Sequence, residues 1–180
     1  LSVALDHQSE NNLHSLLKQR YPRKRIGVIH RLDRDTSGAI LFSLDQDSYL
    51  SLKEQLKKRS MKRKYLVLIE GILEGEGVWD SFLKEDSSFT VHTVSEKTEG
   101  AEHAITEWKA LGHDQKSTLL ECRLVTGRKN QIRVQAQAVG HPVVGDTKYG
   151  STKIGSSHRL MLHAFSLTCS HPDTEELLHF

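Results

Sequence analysis

The chain has 180 residues, 37% hydrophobic and 27% charged, which suits a globular domain with a substantial core and excludes a disordered or fibrous segment. Its longest apolar runs are only a handful of residues, so it offers no membrane-spanning stretch, and Leu1 opens no secretory signal pattern. The formal net charge of +2 hides a polarised distribution. Lys53, Lys57, Lys58, Arg59, Lys62, Arg63 and Lys64 crowd one stretch opposed by Glu54, Lys18 to Arg25 adds further cations, and Glu70 to Glu107 holds ten acidic residues.

In chain order, Ser9 to Gln19 sets Leu13, Leu16 and Leu17 at helical spacing behind polar starters, and this helix should end before Tyr21-Pro22. Ile26 to Ile29 and Ala39 to Leu44 read as buried strands, with a polar connection from His30 to Gly38 pinned between them. Asp45 is placed to cap a second helix whose stripe is Tyr49, Leu52 and Leu56, and that helix ends in the basic run. Tyr65 to Ile69 reads as a strand, Gly71 to Gly77 as a turn, and Val78 to Leu83, Phe89 to Val94 and Ala104 to Leu111 as sheet strands. The strand Leu119 to Val125 gives way to Thr126-Gly127-Arg128-Lys129-Asn130, and Gln131 to Val139 reads as a helix closed by Gly140 with Pro142 beyond. Leu160 to Thr168 alternates clearly, and Leu177 to Phe180 reads as the beginning of another strand.

Strands outnumber helices and short turns join several in succession, which predicts an α+β fold with a mixed, mainly antiparallel sheet and packed helices. No repeat, low-complexity stretch or linker divides residues 1–180, so a single domain is expected. The absence of an initiator Met and the strand-like last residues suggest a chain trimmed at both ends.

Two polar segments stand out as chemistry. In the first, Asp33 lies between Arg31 and Arg34, and Thr36-Ser37-Gly38 supplies hydroxyls, backbone N–H groups and a permissive backbone for a tight turn. Taken alone, it also reads as an ordinary turn facing water. In the second, Arg133 falls in the first turn of the predicted helix. A cation is disfavoured at that partially positive end, so Arg133 either points into solvent or shares an anion with the helix N-terminus. Cys122 and Cys169 sit in apolar strand patterns without a CxxC, which predicts buried free thiols and an intracellular, cytoplasmic setting. The eleven His residues form no HExxH or zinc spacing, and Gly150 to Ser157 imitates a phosphate-binding loop but has Ser156 where its Lys should be. No metal and no nucleotide are therefore expected. Trp79 and Trp108 fit core or sheet-face positions better than base-stacking platforms.

Four ordered motifs carry a resemblance: His30-Arg31-Leu32-Asp33 with Thr36-Ser37-Gly38, Lys64-Tyr65-Leu66-Val67, Thr126-Gly127-Arg128 with Gln131-Ile132-Arg133, and Gly145-Asp146-Thr147-Lys148-Tyr149-Gly150. In this order and spacing the chain resembles the RluA-type pseudouridine synthases across nearly its whole length. Members commonly carry His where Asn130 and Gln135 stand and Leu where Ala39 stands. Many also carry an N-terminal S4 RNA-binding domain, for which this chain has no counterpart.

The resemblance implies a pseudouridine synthase fold with a central active-site cleft crossing the sheet, and isomerisation of specific uridines in structured RNA, rRNA or tRNA. It implies Asp33 as the essential carboxylate, Arg133 as its ionic partner, and Tyr65 as a ring stacked on the uracil. Arg31 would fill the gap left by a flipped base, while Arg34, Arg128 and Lys129 would touch phosphates. The run Lys57, Lys58, Arg59, Lys62 and Arg63 fits a phosphate-tracking surface, or else a solvated helix face. The reaction involves no redox change, so no cofactor is expected, nor an obligatory protein partner or a membrane. Two rivals are a non-catalytic RNA-binding module, which needs no Asp33, Tyr65 and Arg133 together, and a glycoside hydrolase using Asp33 and Asp35.

Overall fold

The computed structural model describes Val3, residues 12–151 and residues 159–180. The predicted helix start at Ser9 and most of the segment Gly150 to Ser157 lie outside the described residues. Two compact units make up the chain, one running to Arg63 and resuming at Ala164, the other spanning Lys64–His163. Among the described residues the architecture is α+β, with three helices and ten strands in a mostly antiparallel arrangement. No helix among them is long and apolar enough to cross a membrane.

The first unit opens with α1 (Leu13–Arg20), whose N-terminus is capped by Asn12: its Oδ1 accepts the Ser15 N–H at 2.9 Å. Tyr21 ends the helix before Pro22, as the Tyr-Pro pair predicts. Strands β1 (Gly27–Val28) and β3 (Phe42–Ser43) pair antiparallel, and β2 (Ser37–Gly38) pairs with β9 (Leu162–Ser170). The two predicted strands flanking the first motif are thus cut to two-residue pairs. The backbone groups that a longer ladder would need are engaged elsewhere: the Ala39 N–H donates to the Ala164 carbonyl at 2.9 Å and the Leu41 N–H to His30 Nε2 at 3.2 Å.

Helix α2 (Gln46–Lys57) is capped as expected, with Asp45 Oδ1 accepting the Ser48 N–H at 2.8 Å. Its Leu52 is buried with Ile29, Met61, Leu167 and Cys169, and Tyr49 and Leu56 pack against that cluster. At the C-terminal end β10 (Leu177–His179) runs antiparallel to β9.

The second unit takes the chain from Lys64 along β4 (Lys62–Glu70), then β5 (Glu76–Glu85), β6 (Val91–Val94), β7 (Glu102–His113) and β8 (Ser117–Leu124). Their spatial order is β4-β8-β7-β5-β6, antiparallel throughout where register is defined. Phe89, predicted to open a strand, instead lies in the turn between β5 and β6 with φ of +60°. Its apolar character was a signal of hydrophobicity, not of pairing, and Asp86 organises the turn around it.

Helix α3 (Gln131–Ala138) ends at Val139, and Gly140 follows at φ +85°, the left-handed exit that its glycine predicts. Val134 of α3 joins Leu83, Val91, Ala104 and Tyr149 in the core of this unit. Trp79 is buried beside Trp108, ring centroids 6.0 Å apart, so both belong to the sheet. Cys122 and Cys169 are buried free thiols, and burial raises both above the ordinary thiol range.

Candidate active site

The connection from His30 to Gly38 is pinned at both ends within the first unit. At its start, the Leu41 N–H bond to His30 Nε2 fixes the ring, and Lys53 Nζ donates to the Ile29 carbonyl at 3.3 Å. At its end, Gly38 sits at φ +115° and a Cβ there would lie 2.2 Å from the Ala164 carbonyl oxygen, so no side chain fits. Between these anchors the Asp33 carbonyl accepts the Thr36 N–H at 3.0 Å, closing a turn with Arg34 and Asp35 at its exposed corners. Asp33 itself is half-buried, whereas Arg31 is exposed. A carboxylate on a turn held this way keeps one position relative to its scaffold.

His30 has a second consequence. Burial, reinforced by the nearby Arg63 charge, lowers its pKa from 6.5 to about 4, with a backbone hydrogen bond at Arg31 opposing the shift. The unfolded chain therefore binds a proton in the interval between these values that the folded chain refuses. Stability is fully present above pH 6.5 and falls as the pH drops toward 4, by roughly 3 kcal/mol from this group. Urea unfolding at pH 7 and pH 4.5 should show a larger loss for the unaltered chain than for His30→Gln, which keeps an acceptor for Leu41 without the titration. Equal losses would remove His30 as the cause.

In the second unit, a polar network builds the start of α3. Thr126 Oγ1 donates to Gln131 Oε1 at 2.7 Å and accepts the Ile105 N–H at 2.8 Å, while Gln131 Nε2 donates to Thr106 Oγ1 at 2.8 Å. Asn130, in the left-handed conformation at φ +54°, turns the chain into the helix, a geometry that Asn tolerates better than most residues. Its side chain is then free of capping duty and faces Arg133.

Arg133 is 8% exposed and clamped. Its Nε and Nη2 donate to the two carboxylate oxygens of Asp146, each at 2.7 Å, and its Nη1 donates to Asn130 Oδ1 at 3.0 Å. The Tyr149 ring lies 5.0 Å from the guanidinium carbon, and Tyr149 Oη accepts from Asn130 Nδ2 at 3.1 Å. Asp146, 1% exposed, is held in turn by the backbone N–H groups of Lys148 and Tyr149. The solvated-Arg reading of the helix start is excluded; an anion is indeed there, and it is Asp146. Sequence reasoning gave Asp146 no role although it falls in a quoted motif, and that motif was the signal that could have found it.

Cross-strand register places Tyr65 opposite Cys122, and Leu124, two residues along, opposite Thr106. These residues share one face of the sheet, and α3 lies over that face because Gln131 and Gln135 both bond Thr106. The structure therefore brings Tyr65 and Arg133 to the same face of one sheet, with Tyr65 only 5% exposed. Asp33, Arg31, Arg34 and the run Lys57 to Arg63 belong to the first unit.

Of the predicted phosphate contacts, Arg128 donates to Glu102 at 2.6 Å and to the His103 carbonyl at 3.0 Å, and Lys129 is paired with Glu85. A phosphate there must compete with carboxylates at a partly exposed surface. Lys57, Lys58, Arg59 and Lys62 are exposed on the end of α2, the following turn and the start of β4, with Arg63 less so. Among the described residues, no group of three His, Cys, Asp or Glu side chains is placed to hold a metal ion.

A family model described as RNA pseudouridylate synthase matches residues 3–138. Ribosomal large subunit pseudouridine synthase D of Nitrosomonas europaea is 36% identical over 163 residues, covering 86% of this chain and 46% of the relative. Ribosomal large subunit pseudouridine synthase C of Escherichia coli K12 is likewise 36% identical, over 84% of this chain and 50% of the relative. The chain thus spans about half the length of these curated relatives. Among solved structures, human RNA pseudouridylate synthase domain containing 1 superposes with a TM-score of 0.78 at 29% identity, covering 94% of this chain and 72% of that one.

Proposed function

The chain belongs to the RNA pseudouridylate synthase family, of RluA type, and from that premise we propose that it isomerises uridines in structured RNA to pseudouridine. The observation that carries the proposal is the clamped guanidinium of Arg133. An arginine buried at a helix start, oriented by Asp146, Asn130 and the Tyr149 ring, is a fixed positive charge built to face a second anion.

Isomerisation breaks the bond between C1′ and N1, turns the uracil, joins C1′ to C5 and releases the C5 proton. The proposed carboxylate is Asp33, acting either on C1′ as nucleophile or on the 2′ proton as base. Arg133 pairs with it in this reading, keeping it ionised and aimed. Tyr65 lies against the detached uracil and takes part in the last proton removal. Because a stacked uridine offers neither C1′ nor C5 to a side chain, the nucleotide is flipped out at a cost of a few kcal/mol, and Arg31 occupies the vacated place. Two buried free thiols support an intracellular setting, the cytoplasm or an organelle with a reducing interior.

The test is direct. Uridine-containing RNA is incubated with the chain in the presence of a chelator and without nucleotides, and pseudouridine is measured after digestion to nucleosides. Product is expected; a requirement for added metal in the chemical step, or for a nucleotide, would overturn the mechanism.

Phosphate contact by the first unit has its own test. Neutralising Lys57, Lys58 and Lys62 together should weaken binding to many RNA sequences and flatten the slope of log affinity against log salt by about 0.7–0.9 per lost contact. An unchanged slope would assign these residues to a solvated face.

A further inference from the structure

The turn at residues 86–90 joins β5 to β6 and is the most heavily organised turn of the second unit that the reaction leaves unused. Asp86 Oδ1 accepts the N–H groups of Ser88 and Thr90 at 2.8 and 3.0 Å, and its Oδ2 meets His92 Nε2 at 2.9 Å. The Ser88 hydroxyl, the Thr90 N–H and His92 hold the Asp86 carboxyl well below the usual carboxylate range. At the tip of this rigid turn stands Phe89, 71% exposed and in the left-handed region at φ +60°.

Both properties run against what the fold alone would select. A large aromatic ring in water forgoes burial worth a few kcal/mol, and a bulky side chain at positive φ adds backbone strain that Gly or Asn would relieve. The turn needs neither the ring nor the strain, since Asp86 already supplies its hydrogen bonds. The ring is left open to a partner from solution.

Its surroundings say what. Lys129 Nζ lies 5.5 Å from the ring centroid, and Lys148 Nζ donates to the Phe89 carbonyl at 2.9 Å. The same turn is tied to the Arg133 cradle: the Val91 N–H donates to Tyr149 Oη at 3.1 Å, and Tyr149 Oη also accepts from Asn130. Lys129 and Lys148 are the chain neighbours of Asn130 and Tyr149 themselves. Lys129 is also paired with Glu85, so a phosphate would have to displace that carboxylate, whereas Lys148 is held by a neutral carbonyl. An exposed aromatic face with these two ammonium groups beside it, roped to the cradle of the proposed catalytic arginine, matches the elements that bind single-stranded nucleic acid: a ring for a base and cations for its phosphate.

We propose that Phe89 is a stacking platform for an unpaired base of the RNA substrate, a nucleotide other than the one isomerised, with Lys148 and Lys129 on the adjoining phosphates. This rests on the reading of the chain as acting on RNA. It adds a binding site, of sequence-tolerant stacking chemistry, on the side of Arg133 formed by the β5–β6 turn.

Equilibrium binding of the chain to a labelled single-stranded oligouridylate tests it. Phe89→Ala should raise Kd about tenfold, the loss expected for one base–aromatic stack. Phe89→Tyr should restore affinity and Phe89→Leu should not, because stacking requires a planar ring where general apolar contact does not. The Phe89 variants should leave the salt slope alone, whereas Lys148→Gln should lower it by about one unit or slightly less. Thermal melts of Phe89→Ala should match the unaltered chain, since the ring is largely exposed and Ala keeps the same Cβ at positive φ. Affinity indifferent to Phe89, or Leu serving as well as Tyr, would overturn the platform while leaving the isomerase reading in place. Failure of the unaltered chain to bind RNA would overturn both, and binding that depends on Phe89 without any pseudouridine formed would sink the isomerase reading alone.

Discussion

Asp33→Asn should abolish pseudouridine formation, lowering turnover on the order of 10⁴-fold, while RNA affinity stays within about twofold of the unaltered chain. The amide has nearly the volume of the carboxylate but can neither attack C1′ nor accept a proton from the ribose. Three bonds and contacts that hold the turn do not involve that side chain. The Asp33 carbonyl still accepts the Thr36 N–H, His30 still accepts the Leu41 N–H, and Gly38 still packs against Ala164. A well-folded but inactive variant is therefore the expected product. Nucleoside analysis after a long single-turnover incubation decides it. Retention of more than about one hundredth of the original rate would mean that another group does the chemistry. Asp35→Asn serves as the comparison: two residues along at an exposed turn corner, it should leave turnover nearly unchanged, whereas a carboxylate-pair hydrolase would need both.

The elements that could be read from the chain are those whose signals are local. The helix from Gln131, its end before Gly140, the Asp45 cap and the Tyr49, Leu52 and Leu56 stripe all follow from spacing within one turn or two, and the structure keeps each. The elements misread are those decided by partners far along the chain. Ile26 to Ile29 and Ala39 to Leu44 are apolar because they are buried or half-buried, yet Ala39 gives its N–H to Ala164 and Leu41 gives its own to a His ring, so little ladder remains between them. Phe89 is apolar but stands in water. Hydrophobicity reports where a side chain is suited to go; pairing and exposure are settled by tertiary contacts. Arg133 was legible as a cation in need of an anion, because a helix N-terminus disfavours it. That the anion within its own unit is Asp146 does not follow from local spacing, since the two lie in different elements; only the motif around Asp146 pointed to it.

Removal of either partner of that pair should separate its structural from its catalytic role. Arg133→Met leaves the Asp146 carboxylate 1% exposed and without its guanidinium, and the cost of an unpaired buried charge is about 3–5 kcal/mol of stability. Arg133→Lys should recover only part of this, since an ammonium cannot make the two parallel bonds of the fork. Asp146→Leu alone takes away both bonds of the fork and leaves the cation, within its own unit, the Asn130 bond and the Tyr149 ring, so it should destabilise as well. The double variant Arg133→Met with Asp146→Leu removes both charges and places apolar volume in a site that already packs against the Tyr149 ring, so it should regain most of the lost stability. Turnover should not return with it, because the positive charge proposed to hold Asp33 ionised is still missing. Urea unfolding of the two single variants and the double variant gives the coupling between the residues, and nucleoside analysis of the same preparations gives the rate. A double variant that is both stable and active would show that the clamp is only a core ion pair, and would remove Arg133 from the chemistry.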